Sequence, residues 1–429
     1  MKIPPVKGTR DFYPGEMAIR NHIIDDWKKV SIRNGFLEYD GPIFEHLKMY
    51  QIKSGDEIVE QLFSFEDRGG RLLAIRPEIT PTLARMVNQR INSLPKPIKW
   101  FSVPRLFRAE RPQKGRLREF FQWNIDIIGE DSVLADAEVI FTTVDYLREI
   151  KLTQRDIRVK ISSRKLLSSS LKNIGIPDKQ LGTLYTLLDK YRKIPKDAFE
   201  NALFEQVPDS RMAIKIIEFM AAETLVNLTE IVGTNPDVDE AVQELAHLKE
   251  LLEQMGVWHY CDFEPGIVRG LAYYTGIVFE VHEFAQELRA ICGGGRYDNL
   301  LHDFGGQKIS ATGMGMGDCV LEILLREKKL LEKQLNKQKL FCFVACADES
   351  YKDAAVQIAM KIRSKGFAAN FSYKANKLSK QLKQASEQNV QKCIIIGDEF
   401  KDNKLVVKDM VSGKQELVDA DEFLTDLKS

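Results

Sequence analysis

Apolar positions along this chain alternate between two periods, and the changes of period divide it. From Glu16 to Asn34 the spacing is helical, with Ile23, Trp27 and Val30 on one face and Gly35 placed to stop the helix. Trp100–Phe107 and Phe121–Ile128 read as two strands joined by a polar, basic loop, and Asp131–Arg148 returns to amphipathic helical spacing. Pro77, Glu78 and Thr80 open a further helix through Val87. Tyr39–Phe44 carries Pro42 among short apolar residues, as an edge strand or a turn would. Strands and helices are thus mixed without regular alternation. That pattern predicts an α+β fold, an antiparallel sheet flanked by helices, rather than a doubly wound nucleotide fold.

Strand signals vanish between Arg164 and Met255, where Leu181–Tyr191, Ala213–Leu225 and Val238–Met255 each repeat at helical intervals. The sheet style resumes at Ile277–Val281, so the helical block is expected to be an insertion. The predicted organisation is a catalytic domain in two parts (1–163 and 257–327), a helical insertion domain at 164–256 and a lysine-rich linker at 328–338. A separate domain is expected at 339–429. Its short apolar runs Leu340–Cys346, Phe367–Phe371 and Cys393–Ile396 alternate with helical patterns at Tyr351–Ser364 and Leu378–Gln388, which implies a small α/β sheet with crossover connections.

Composition narrows the functional classes. A chain of 429 residues exceeds what one core supports, so several domains are expected. Lys plus Arg equals Asp plus Glu, 62 against 62, so any contact with nucleic acid must come from local patches. The six cysteines are dispersed, without zinc-site spacing or a disulfide framework, and read as reduced. No apolar run approaches the ~20 residues that a bilayer requires, and no leader is evident, so a cytoplasmic protein without membrane contact is expected.

Three segments carry candidate chemistry. Arg269–Gly276 (RGLAYYTG) combines a guanidinium, two phenols and glycines beside a strand-like run. Those are the means of holding a small polar ligand with a carboxylate or phosphate, although paired tyrosines beside β-branched residues also suit an ordinary sheet face. Cys292–Leu300 (CGGGRYDNL) follows one hairpin later, and Phe107–Trp123 (FRAERPQKGRLREFFQW) lies upstream. Together they resemble the histidine-specific signatures and the second class-defining motif of the histidyl-tRNA synthetases, a class II aminoacyl-tRNA synthetase family. Val6–Pro14 (VKGTRDFYP), Ile75–Met86 (IRPEITPTLARM) and the C-terminal domain extend the resemblance over nearly the whole chain.

The resemblance implies a histidine–tRNA ligase that forms histidyl-adenylate from L-histidine and ATP and passes the histidyl group to the 3′ end of tRNA(His). It further implies a homodimer with the segment around Pro42 at its interface, an insertion that touches tRNA and a C-terminal anticodon-binding domain. Mg2+ is expected with ATP, without a dedicated protein site. Activation joins a carboxylate to a phosphate, so arginines must offset the repulsion of two anions and stabilise the charge that grows on phosphoryl oxygens. The matching positions are Arg108, on the α-phosphate and the carboxylate, and Arg269, opposite it. Glu110, Arg116 and Phe120 would bind ATP, with Arg116 on the γ-phosphate and Phe120 on adenine. Glu78, Thr80 and Gln122 would take the α-amino group of histidine, and Asp126 and Tyr274 the ring nitrogens. Tyr273 would line the pocket and Tyr297 would close it. Gln113, Lys114 and Arg118 would meet the acceptor end of tRNA.

The chain departs from the family pattern in three places. The third class-defining motif should carry an arginine against the nucleotide, and in Gly313–Leu325 (GMGMGDCVLEILL) Val320 stands at that position. A charge-assisted contact of this kind contributes roughly 1.5–3 kcal/mol, so another arginine, from among Arg108, Arg116, Arg269 and Arg296, is expected to compensate. Ala272 replaces a frequent aspartate, and Asp126 a frequent glutamate. A regulatory or tRNA-sensing paralogue without aminoacylation activity is the alternative reading, with Val320 as its main support.

Overall fold

The ten-residue strand Glu119–Ile128 organises the larger part of the molecule. Its residues alternate between faces, as a pleated strand dictates. Phe121, Trp123, Ile125 and Ile127 enter the main hydrophobic core, whereas Phe120, Gln122, Asn124 and Asp126 share the opposite face. On the core side the Trp27 and Trp123 rings stack at 6.3 Å, and Tyr146 meets Trp123 edge-on at 5.4 Å. Trp123 Nε1 donates to Ser31 Oγ at 2.8 Å, so this indole is both packed and satisfied. Helices Pro14–Arg33 and Val133–Glu149 supply those partners.

The computed structural model describes residues 3–54, 62–268, 274–331, 340–374 and 376–427. Its chain divides into two units, Met1–Leu331 and Glu332–Ser429. The first holds a nine-stranded sheet in the order Leu37–Glu38, Ile98–Ser102, Glu119–Ile128, Ala311–Gly317, Cys292–Arg296, Ile277–Glu283, Ile157–Ser163, Cys261–Phe263, with Arg105–Phe107 also paired to the central strand. Pairing is antiparallel except at the two outer pairs. Six helices from Arg164–Ile174 to Pro236–Gln254 run between the neighbouring strands Ile157–Ser163 and Cys261–Phe263, so the chain leaves and rejoins the sheet at one edge. Ser163 Oγ caps the first of them by accepting from Leu166 N–H, and Gly175, at φ +112°, ends it.

Several local expectations need correction. The run Trp100–Phe107 is not one strand but two, Ile98–Ser102 and Arg105–Phe107, because Pro104 has no N–H to continue the ladder. The helix expected from Pro77 is Thr80–Arg90, and Glu78 lies ahead of it rather than in its first turn. Ala213–Leu225 straddles two helices, Ser210–Met220 and Leu225–Val232.

The second unit has a five-stranded sheet. Ala369–Phe371, Cys342–Cys346 and Lys392–Ile396 are parallel, joined by crossovers through Lys352–Ser364 and Leu378–Glu387. An antiparallel hairpin, Lys404–Asp409 with Gln415–Asp419, extends it beyond what the apolar runs predicted. Among the described residues no helix is long and apolar enough to cross a membrane.

Candidate active site

Strand register decides which side chains can meet above the sheet. Asp126 pairs with Gly313, Gly313 with Gly295 and Gly295 with Val278, while Asn124, Gly315, Gly293 and Glu280 form the adjacent row. The centre of both rows is glycine, so bare backbone lies between polar side chains. A Cβ on Gly313 would fall 2.2 Å from Asp126 Oδ1, and one on Gly315 would fall 2.9 Å from Gln122 Nε2. The repeated glycines therefore keep space for a ligand on the sheet surface rather than weakening a strand to no purpose.

A cavity of about 190 Å³ stands on that surface. It gathers Glu78, Thr80, Gln122, Asp126, Tyr274 and Tyr297, together with Arg108 and Asn124. Tyr297 is only 2% exposed and donates its hydroxyl to Asp126 Oδ1 at 2.5 Å, a length typical of a bond to a carboxylate. Tyr297 is thus a buried wall of the cavity, hydrogen-bonded to Asp126. Tyr39, packed on Trp100, has its hydroxyl pushed well above the usual tyrosine range by burial and then by the charge of Asp126, so it stays protonated.

A larger cleft of about 710 Å³ adjoins this cavity, and Arg108, Gln122, Tyr274 and Gly315 line both. Arg108 Nε donates to Pro77 O at 3.2 Å, and its guanidinium lies 5.0 Å from the Phe120 ring centre. Arg116 reaches the cleft from the basic loop. There Gln113 and Arg116 exchange two backbone hydrogen bonds of 2.9 Å around Gly115, whose φ of +73° requires glycine. Arg116 is ion-paired with Glu110, and Arg118 Nε donates to Glu110 O at 3.1 Å. Gln113 and Lys114 remain exposed at the tip.

The opening segment holds this loop in place. Arg118 N–H donates to Gly8 O, and Arg10 pairs with the buried Asp318 at 2.5 Å, while Asp318 also accepts from Phe121 N–H. Arg269, Ala272 and Tyr273 lie outside the described residues.

A family model described as histidyl-tRNA synthetase matches residues 8–317, and one described as an anticodon binding domain matches 341–429. The chloroplastic/mitochondrial histidine–tRNA ligase of Arabidopsis thaliana is 39% identical over 415 residues, which are 96% of this chain and 84% of that protein. The histidine–tRNA ligase of Opitutus terrae is 37% identical over 411 residues, 94% and 93% of the two chains. The crystal structure of histidyl-tRNA synthetase from Nostoc sp. PCC 7120 shares the fold, with a TM-score of 0.84 at 24% identity over 99% of both chains. This chain belongs to the histidyl-tRNA synthetase family. It is accordingly an aminoacyl-tRNA synthetase, a ligase.

Within that family frame one expected compensation fails. Arg296 does not face the cleft. Alternation along Cys292–Arg296 turns it to the helix side, where its Nε and Nη2 donate to Asp136 Oδ2 at 2.9 and 2.6 Å and its Nη1 and Nη2 donate to the carbonyls of Glu130 and Ser132. Burial pushes the Asp136 carboxyl up, and Arg296 opposes that shift.

Other residues at the site escaped the sequence reading. Asn124 was legible as the middle of the alternating set Gln122, Asn124, Asp126. Glu280 and His282, 2.8 Å apart, had the same signal as polar residues two apart in an apolar strand. Arg289, and Asp189 and Lys193 from the helical segment, also line the cleft without any local signal that could have marked them. Burial, with the neighbouring guanidiniums of Arg289 and Arg108, pulls the Arg116 pKa down from the usual arginine value.

Proposed function

We propose that this chain activates histidine in the 190 Å³ cavity with ATP held in the adjoining cleft, then transfers the histidyl group to the 3′ end of tRNA(His). The observation that carries this reading is the position of Arg108 on the boundary, where it lines both spaces. A carboxylate oxygen of histidine attacks the α-phosphorus, a new P–O bond forms, and the bond to the β-phosphate oxygen breaks to release pyrophosphate. The attacking carboxylate is already anionic, so no base is needed. A guanidinium at the junction can hold both anions and offset their repulsion. Arg269 joins Arg108 in this role by family resemblance, and Arg116, with Glu110 beside it, takes the distal phosphates.

Selectivity for histidine follows from paired polar groups at the end of the cavity. A neutral imidazole offers one donor and one acceptor, which Asp126 and Tyr274 would answer, while Glu78, Thr80 and Gln122 take the ammonium. An analogue without those ring nitrogens would leave buried groups unpaired, a discrimination of about four to five orders of magnitude. Gln113 and Lys114, exposed at the loop tip, suit contact with the acceptor end of tRNA. Arg118, folded back on Glu110, would shape that loop instead. Mg2+ would arrive on the phosphates of ATP.

A homodimer in the cytoplasm completes the proposal. Its support is the three-stranded sheet, where the Phe44 and Phe65 rings, 6.1 Å apart, are exposed together near Ile43. Pyrophosphate exchange across the amino acids tests the reading. Exchange with histidine alone is expected, and no exchange would leave the noncatalytic alternative.

A further inference from the structure

The third-motif position faces the cleft as an apolar residue. Val320 is 8% exposed, and its Cγ2 would lie 3.0 Å from a Cβ on Gly115, with Ile323 Cδ1 at 4.0 Å. The tip of the basic loop therefore rests on an apolar helix surface at the place where the family pattern puts a guanidinium. Arg296 cannot substitute, because Asp136 holds it on the other face of the sheet.

Arg289 lines the same cleft as Val320, Arg108 and Arg116. It stands in the loop just ahead of Cys292–Arg296, and its side chain is exposed. Glu110 is the ion-pair partner of Arg116, and Pro77 O accepts from Arg108. Arg289 makes no hydrogen bond or ion pair among the described residues. Its charge repels that of Arg116 across the cleft. Like charges gathered in a cleft raise its energy until a multivalent anion enters, and a planar guanidinium is suited to gripping two phosphate oxygens at once.

We propose that Arg289 supplies the phosphate-binding guanidinium that Val320 lacks, reaching the distal phosphates of ATP from the strand side of the cleft rather than from the helix. The proposal rests on the reading of this cleft as the ATP site. It makes Arg289 a phosphate-binding residue, with the loop tip and Val320 packed where the helix arginine would otherwise project.

The test combines exchange kinetics with equilibrium binding on the full-length protein. Wild-type pyrophosphate exchange with histidine checks the functional reading separately. In Arg289→Ala the KM for ATP should rise about ten-fold or more while the KM for histidine stays within two-fold, and Arg289→Lys should recover part of the loss. In binding measurements Arg289→Ala should weaken ATP about ten-fold and leave adenosine unchanged, since the guanidinium touches only phosphate. An ATP affinity within two-fold of wild type overturns the proposal, as does an equal loss for ATP and adenosine. If the wild type binds ATP without exchanging pyrophosphate, the functional reading falls and the binding comparison still decides Arg289. A wild type that binds no ATP overturns both.

Discussion

Tyr297 and Asp126 are 171 positions apart and joined by a 2.5 Å hydrogen bond that spans the strand between them. The bond fixes the carboxylate that the proposed function assigns to the imidazole.

Tyr297→Phe removes that donor and leaves the ring. A hydrogen bond to a charged group contributes about 1.5–3 kcal/mol, so the KM for histidine in pyrophosphate exchange should rise about ten- to hundred-fold. The KM for ATP should stay within two-fold. Equal effects on both would place Tyr297 in the fold rather than in the amino-acid pocket.

Arg296→Ala should cost stability before it costs binding. It leaves Asp136 buried without its counter-charge, a loss of about 3–5 kcal/mol, whereas Arg296→Met with Asp136→Leu should lose much less. Denaturant unfolding measures both. Asp136 already has a raised folded-state pKa, and without Arg296 it should rise further. A raised carboxyl pKa favours the folded state when protonated, so the Arg296→Ala deficit should shrink as pH falls through that value. A deficit that does not change with pH would contradict this account.

Glu149 should shape acid stability in the opposite sense. Hydrogen bonds from Lys29 and Arg33 hold its pKa down at about 2, below the ordinary glutamate value near 4.5. Its contribution is therefore present above the ordinary value and lost as pH falls from there through about 2. Because the pair lies at the surface, screening limits it to about 0.5–1 kcal/mol. Glu149→Gln should lower the melting temperature slightly at pH 7, by an amount that shrinks as pH falls from about 4.5 toward 2.

Removal of Leu340–Ser429 should separate the two half-reactions. The second unit has hydrophobic clusters of its own, around Val344 and Ile394 and around Phe343 and Val390. Pyrophosphate exchange should remain within about three-fold, while aminoacylation of tRNA should fall at least a hundred-fold. Unchanged aminoacylation would dissociate this unit from anticodon recognition.

The sequence by itself determined the elements and the class of fold. The helical period through Ile23, Trp27 and Val30, the alternation from Phe121 to Ile127 and the crossover pattern of the second unit are local properties that survive without knowledge of partners. The glycine and arginine motifs likewise marked the family. What only the tertiary structure decided was the direction of individual side chains. Arg296 and Arg289 are close in sequence and alike in chemistry, yet one is locked to Asp136 and the other lines the cleft. The hairpin Lys404–Asp419 and the approach of Asp189 and Lys193 to the site share that origin. A side chain's face is set by strand register with partners more than a hundred residues away, and a charge becomes a ligand or a structural tie according to which counter-charge that register brings beside it.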